Sequence, residues 1–400
     1  MRPAKTPPHL VTLILGSALG VLSLNMFLPS LARMAEDFDV EYGLVNLSVA
    51  GYLAMTAVLQ LLIGPLSDRF GRRPVLLSAM AIFVLASIGC ALASSIWVFL
   101  LFRMMQGVVI AASVVSLAIV RDMYPPAEAA SRLGYIGMSM ALAPMLGPML
   151  GGALDMAFGW RASFVFYTLA GLAVLGLIWF DLGETSRRAS QSLAQQLSEL
   201  PELAASRRFR GYVLCLGFSV GGFYTFITGA PLVAAAWFDL VPAQLGLGIG
   251  IITGGFMVGN LVTGRMATRT DPLNLVLAGR CSAVLGPFLG LGAFLLGQGS
   301  VLVFFGAAIL LGLGNGLTLA SVNAGLVSVR PHLAGSASGL SGAFTVALGA
   351  VLTSGVGVLV TPENAPFAVL GTMLVTSTTA LIASLYVRRI ERLEGAPGPA

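Results

Sequence analysis

Charge is scarce in this chain. Lys, Arg, Asp and Glu make up 10% of its 400 residues, where a soluble domain carries about 25%. Runs such as Val75–Ser94 contain no charge and no polar face, which excludes a soluble helical repeat and points to segments surrounded by lipid or by other apolar helices. There are two histidines and three cysteines. Cys90, Cys215 and Cys281 each sit in an apolar run without ligand spacing, so neither a disulfide framework nor a metal site is expected. The glycine-rich run Gly312-Leu313-Gly314-Asn315-Gly316 also lies in an apolar stretch and has no phosphate-binding lysine. ATP is therefore not the expected energy source. No enzymatic constellation and no cofactor are expected. The first apolar run is too long for a cleavable signal and lacks a small-residue cleavage pattern.

Apolar runs long enough to cross a bilayer are abundant. A span needs roughly 20 apolar residues, and twelve candidates fall at 9–32, 43–66, 75–94, 96–119, 131–154, 162–182, 211–235, 244–266, 274–297, 300–328, 334–359 and 366–387. The polar segment 183–210 divides them six and six, and Ser190–Ala204 within it has the character of a short surface helix. The predicted fold is an all-α integral membrane protein of twelve transmembrane helices in two six-helix bundles, 1–182 and 211–400, joined by a cytoplasmic linker. The 49 glycines suit close helix packing in a membrane. Gly64 after span 2 and Gly264 after span 8 form a weak repeat two hundred residues apart.

The net charge of +5 reflects topology rather than affinity for nucleic acid. If the N-terminus is cytoplasmic, nineteen cations, Arg280 among them, fall on the inner side, while Arg33 and Arg161 fall outside. This positive-inside bias places both termini in the cytoplasm. Arg103 is left within a span. The seventeen acids all lie in loops or near span ends; Asp155 is near an external end and Asp122 near an internal one.

The stretch Gly64-Pro65-Leu66-Ser67-Asp68-Arg69-Phe70-Gly71-Arg72-Arg73-Pro74 sets four charges between spans 2 and 3, which makes it a tight cytoplasmic turn. It resembles the G-x-L-a-D-r-x-G-r-[rk] loop of the major facilitator superfamily of secondary transporters. That resemblance implies two pseudo-symmetric halves, alternating access, and a gating role for Gly64, Asp68, Arg69, Gly71, Arg72 and Arg73. The glycines are expected to allow tight packing, and the arginines to stay at the surface, gripping acidic lipid or neighbouring carboxylates. Arg121 and Asp122, at the inner end of span 4, are expected to pair with this turn.

Three further segments narrow the resemblance. Arg103-Met104-Met105-Gln106-Gly107 resembles the fourth-helix R-x-x-q-G motif of drug–proton antiporters. An arginine at a span centre costs about 2.5–3.5 kcal/mol on insertion scales, so Arg103 should face the bundle interior or a wet cavity; the alternative is a side chain snorkelling to the surface. Gly147-Pro148-Met149-Leu150-Gly151-Gly152, after Ala143-Pro144, should bend span 5 and resembles the G-P-x-x-G-G signature of exporters, implying a conformational role for Gly147, Pro148, Gly151 and Gly152. Asn25-Met26-Phe27-Leu28-Pro29 resembles the D-M-Y-L-P segment of the Bcr/CflA branch, the bicyclomycin- and chloramphenicol-type exporters. The departure is Asn25, where the branch carries a carboxylate.

The implied activity is export of small amphipathic compounds in exchange for protons. Asparagine cannot titrate, so coupling is expected to use an acid near a helix end, such as Asp122 or Asp155, or to be absent. The alternative is a facilitator without proton coupling, or an organic-anion exporter using Arg103. In this superfamily spans 1, 4, 7 and 10 line the path. The resemblance thus nominates Asn25, Met26, Arg103, Gln106, Tyr224, Phe226, Thr228, Asn315 and Thr318 for the substrate. A monomer in the inner membrane is expected, with substrate, protons and lipids as partners and no nucleic acid.

Overall fold

The computed structural model describes residues 8–124, 126–185, 201–266, 269–330 and 333–394. Helices begin where short polar side chains cap them. Ser95, Ser206, Asp271 and Ser300 each accept a hydrogen bond from a backbone N–H of the first turn that follows, satisfying a donor the helix leaves free. Gly71, at φ 98°, separates two helices with no loop between them, a backbone conformation that favours glycine.

The elements are α1 (Leu10–Asn25), α2 (Leu31–Asp37), α3 (Tyr42–Phe70), α4 (Arg72–Leu92), α5 (Ile96–Gln106), α6 (Ile110–Met123), α7 (Pro126–Phe158) and α8 (Arg161–Asp181). They continue with α9 (Arg207–Phe238), α10 (Pro242–Met266), α11 (Pro272–Leu295), α12 (Val301–Ser328), α13 (Ala334–Leu359) and α14 (Ala365–Glu394). Eleven stretches among the described residues are long and apolar enough to cross a membrane, and α7, bent by 42° between Pro144 and Leu146, makes a twelfth. The expected proline bend in span 5 is present. An apolar core is present, but large apolar side chains also face outward. Phe180 is 89% exposed and Leu302 84%, as expected where lipid replaces water around the bundle.

Two spans are not single α-helices. Span 1 runs through α1, a 3₁₀ turn over Leu28–Ser30 that contains Pro29, and α2. Span 4 runs through α5, a 3₁₀ turn over Gly107–Val109, and α6. Such turns inside a span leave carbonyls without their usual i+4 partners.

The chain divides into two compact units. One comprises Met1–Gln195 with Pro242–Gly246, the other Gln196–Val241 with Leu247–Ala400. In the first, an aromatic cluster packs edge to face: Phe99 lies 5.2 Å from Phe164, and Phe164 lies 5.5 Å from Tyr167. In the second, glycines bring backbones together. A Cβ on Gly279 of α11 would come within 2.6 Å of the Gly314 carbonyl of α12, and one on Gly255 of α10 within 2.6 Å of the Ile309 carbonyl. Of the expected connecting segment 183–210, residues 186–200 lie outside the described ones, and with them most of the expected surface helix Ser190–Ala204.

Candidate functional site

Arg103 is fully buried, which excludes the snorkelling alternative. The break in span 1 explains how it is held. Ser23 O is one of the last four carbonyls of α1, and it accepts a hydrogen bond from Arg103 Nη2 at 2.9 Å. Nη1 donates to Gln106 Oε1 at 2.7 Å, one turn further along α5. Gln106 Nε2 donates to Ser87 Oγ of α4 at 2.7 Å, and Ser87 Oγ donates to Phe83 O. The guanidinium carbon lies 4.2 Å from the ring centre of Tyr52 and 4.4 Å from that of Phe27. Each ring offers a desolvated cation a stabilisation of up to about 2 kcal/mol. The Tyr52 hydroxyl is itself 2.8 Å from Ser23 Oγ. Among the described residues no carboxylate reaches this guanidinium, and its Nε has no hydrogen-bond partner.

Asn25 and Met26 end α1 beside this cluster. Asn25 Nδ2 donates to Val21 O at 2.7 Å, while its buried Oδ1 has no partner among the described residues. Met26 is buried under Gly147 and Gly151 of α7. A Cβ on Gly151 would fall 2.6 Å from the Met26 carbonyl carbon, and one on Gly147 lies 3.5 Å from Met26 N. Gly147 and Gly151 of the span 5 motif therefore bring α7 against the break in span 1, while a Cβ on Gly152 would meet the Pro242 carbonyl.

The second unit holds a cluster that the positive-inside assignment misplaced. Arg280 was counted with the cytoplasmic cations, but it sits eight residues into α11, about 12 Å along the helix, and is fully buried. Its Nη1 donates to Ser219 Oγ at 2.6 Å, its Nη2 to Asn315 Oδ1 at 2.7 Å and its Nε to Thr318 Oγ1 at 3.0 Å. Asn315 and Thr318, nominated for the substrate, thus meet at this arginine. Asn315 Nδ2 also donates to Ser219 O at 3.1 Å. The other nominated residues of this unit are not part of the cluster. Phe226 is fully buried, 5.5 Å from Phe304. Thr228 donates back to Tyr224 O at 2.7 Å. Tyr224 lays its ring over Gly349. Sequence reasoning passed over Arg280 and Ser219. The available signal was the depth of Arg280 within its apolar run, the same criterion that singled out Arg103.

At the end bearing the basic turn, Arg72 is the hub. It pairs with Asp68 at 2.5 Å and with Asp122 at 3.1 Å, and donates to Ser67 Oγ. Its backbone N–H donates to Glu184 Oε1 at 2.9 Å. The expected pairing of the turn with Asp122 is therefore present; Arg121 lies on α6, and its side chain is outside the described residues. Two expectations need correction. Arg72 is only 8% exposed rather than at the surface, because two carboxylates compensate its charge. Gly64 is not a close-approach position: a Cβ there would meet no atom of the described residues within 4 Å. Gly71 carries the close approach instead, with the Glu184 carboxylate where its Cβ would stand. Arg69 is exposed beside Phe70, and Arg73 donates to Trp179 O at 3.0 Å. A double-mutant cycle of Arg72→Gln and Asp122→Asn, read by thermal unfolding in detergent, should give a coupling of about 1 kcal/mol. Strict additivity would mean that the pair contributes nothing to stability.

At the opposite end, Asp155 in the last turn of α7 is 1% exposed and pairs with Arg33 of α2 at 3.0 Å. Its Oδ2 has no partner among the described residues. Asp37 pairs with Arg161 at 2.6 Å and accepts from Trp160 Nε1 at 3.0 Å. Among the described residues no group of His, Cys, Asp and Glu is arranged to hold a metal.

The sequence profile described as Major Facilitator Superfamily matches residues 13–354. A chloramphenicol resistance protein of Pseudomonas aeruginosa is 31% identical over 392 residues, covering 95% of this chain and 90% of the relative. A bicyclomycin resistance protein homologue of Haemophilus influenzae is 28% identical over 86% of this chain and 88% of its own. The multidrug transporter MdfA of Yersinia pestis (strain Angola) is 28% identical over 76% of this chain and 74% of its own. Among solved structures, a D-xylose–proton symporter superposes with a TM-score of 0.77 at 15% identity, over 94% of this chain and 96% of its own. A bacterial homologue of the human lysosomal transporter Spinster superposes with a TM-score of 0.77 at 16% identity, over 99% of this chain and all of its own. At those identities the superpositions speak for the fold alone.

Proposed function

The chain belongs to the major facilitator superfamily, and from that premise we propose that it exports small amphipathic compounds of the chloramphenicol and bicyclomycin kind from the cell, by alternating access, across the inner membrane with both termini in the cytoplasm. The carrying observation is the Arg103 cluster. A buried guanidinium offers an unpartnered Nε between two aromatic rings, beside a break in span 1. Polar donors of this kind orient a ligand whose remaining surface is apolar. The resistance proteins among the relatives support the substrate class. The glycine contacts of α7 on Met26 and the Arg72 clasp are the elements we assign to the conformational change. Arg69 and Arg73 act with that clasp at the membrane surface.

Export runs in exchange for protons, and Asp155 is the exchanging acid. It is buried, it faces one cation, and one of its oxygens has no partner. The membrane potential supplies about 2.3 kcal/mol per charge per 100 mV, which corresponds to a roughly fifty-fold concentration ratio. In proteoliposomes with an imposed pH gradient, chloramphenicol uptake should move protons and stop on addition of an uncoupler. Asp155→Asn should reduce the drug-dependent proton flux at least tenfold, while downhill drug movement persists. An unchanged proton flux in this variant would remove Asp155 from the mechanism. A second reading is a facilitator without coupling, favoured by Asn25 and by the lack of a carboxylate at Arg103 among the described residues. Drug movement with no proton flux in the native protein would select it.

A further inference from the structure

Arg280 is a second charge buried within a span, and its surroundings differ from those of a buried ion pair. All three guanidinium nitrogens are engaged, each by a neutral oxygen: Ser219 Oγ, Asn315 Oδ1 and Thr318 Oγ1. Those oxygens come from α9 and α12. They orient and solvate the cation but carry no compensating charge. Arg72, by contrast, is buried between two carboxylates. A guanidinium holds its proton in proteins, so the Arg280 cluster is a fixed positive charge in a low-dielectric surrounding. Arg103 is the same kind of group in the other unit, solvated by an amide oxygen, a carbonyl and two rings. Among the described residues, each unit thus carries a buried positive charge whose partners are all neutral, and the acids of the chain stand near span ends.

Such charges act beyond hydrogen-bond reach. In transporters and channels a fixed arginine raises an electrostatic barrier against cations while leaving neutral solutes unaffected. We propose that Arg280, caged by Ser219, Asn315 and Thr318, is a charge filter that makes this transporter reject cationic compounds and pass neutral and anionic ones. This inference rests on the export reading and narrows its substrate class.

The cage also makes the test feasible. Without the guanidinium, Ser219 Oγ still donates to Cys215 O, Thr318 Oγ1 still donates to Gly314 O, and Asn315 Nδ2 still donates to Ser219 O. Only Asn315 Oδ1 loses its partner, so Arg280→Met leaves a nearly satisfied core. The experiment is uptake into proteoliposomes of three probes by the full chain: chloramphenicol, which is neutral; carboxyfluorescein, an anion; and ethidium, a cation. The native protein should move the first two and move ethidium at least tenfold more slowly. Arg280→Met should raise the ethidium-to-chloramphenicol ratio about tenfold, the order expected when one unit charge acting through an effective dielectric constant of about 20 is removed. Arg280→Lys should keep the native ratio. Ethidium moving as fast as chloramphenicol in the native protein overturns the filter and leaves export standing. A selective native protein whose ratio is unchanged in Arg280→Met overturns the assignment to Arg280. If none of the three probes moves, the export reading fails, and the filter falls with it.

Discussion

Replacing Arg103 by lysine should lower drug export at least a hundredfold, although the charge is retained. The site uses the shape of the guanidinium as much as its charge. Two nitrogens donate in different directions, to Gln106 Oε1 and Ser23 O, while the plane lies against Tyr52 and Phe27. An ammonium group is a compact point charge that matches neither the fork nor the stacking. It would leave Gln106 Oε1 or Ser23 O without a donor, and a buried polar atom stripped of its partner costs about 1–3 kcal/mol. A hundredfold loss corresponds to about 2.7 kcal/mol, within reach of one such orphan and one weakened ring contact. The measurement is chloramphenicol transport by purified Arg103→Lys in proteoliposomes, with thermal unfolding in detergent to show that the variant folds. Transport within threefold of native in a folded variant would show that position 103 needs only a positive charge. Gln106→Ala should produce a smaller loss, because the Ser23 and ring contacts remain.

Adding one methyl group at Gly151 should destabilise the protein by about 3 kcal/mol, at the upper end of the usual range for overpacking. The Cβ would collide with the Met26 carbonyl and would stand 3.0 Å from Met26 Cγ. A backbone carbonyl cannot rotate away as a flexible side chain can, so α7 must move off the break in span 1. Gly176→Ala is the control. Its Cβ meets open space, and alanine favours a helix over glycine by about 1 kcal/mol. Thermal unfolding of the two variants in detergent should therefore shift in opposite directions. A Gly151→Ala protein as stable and as active as native would mean that α1 and α7 do not need this closeness.

Features set by local chemistry were legible in the sequence; those set by distant neighbours were not. The helices were legible because a bilayer demands about 20 apolar residues per span, a length no turn or loop imitates. The bend in α7 was legible too, since Pro144 and Pro148 remove backbone donors wherever they stand. Arg72 was legible as part of a motif but not as a buried hub, because its burial depends on Asp122 fifty residues later.

The sequence by itself determined that this is a helical membrane protein of the facilitator kind, that its basic turn joins α3 to α4, and that Arg103 lies within a span. These follow from what each segment must do in lipid, independently of its neighbours. Only the tertiary structure decided what surrounds each charge. It placed Ser23 and Tyr52 around Arg103, and gathered Ser219, Asn315 and Thr318 onto Arg280. It also showed that Gly64 is not a close-approach position, while Gly71 and Gly151 carry the contacts. Solvation of a buried cation depends on groups brought together from distant parts of the chain, and no local pattern records which groups those are.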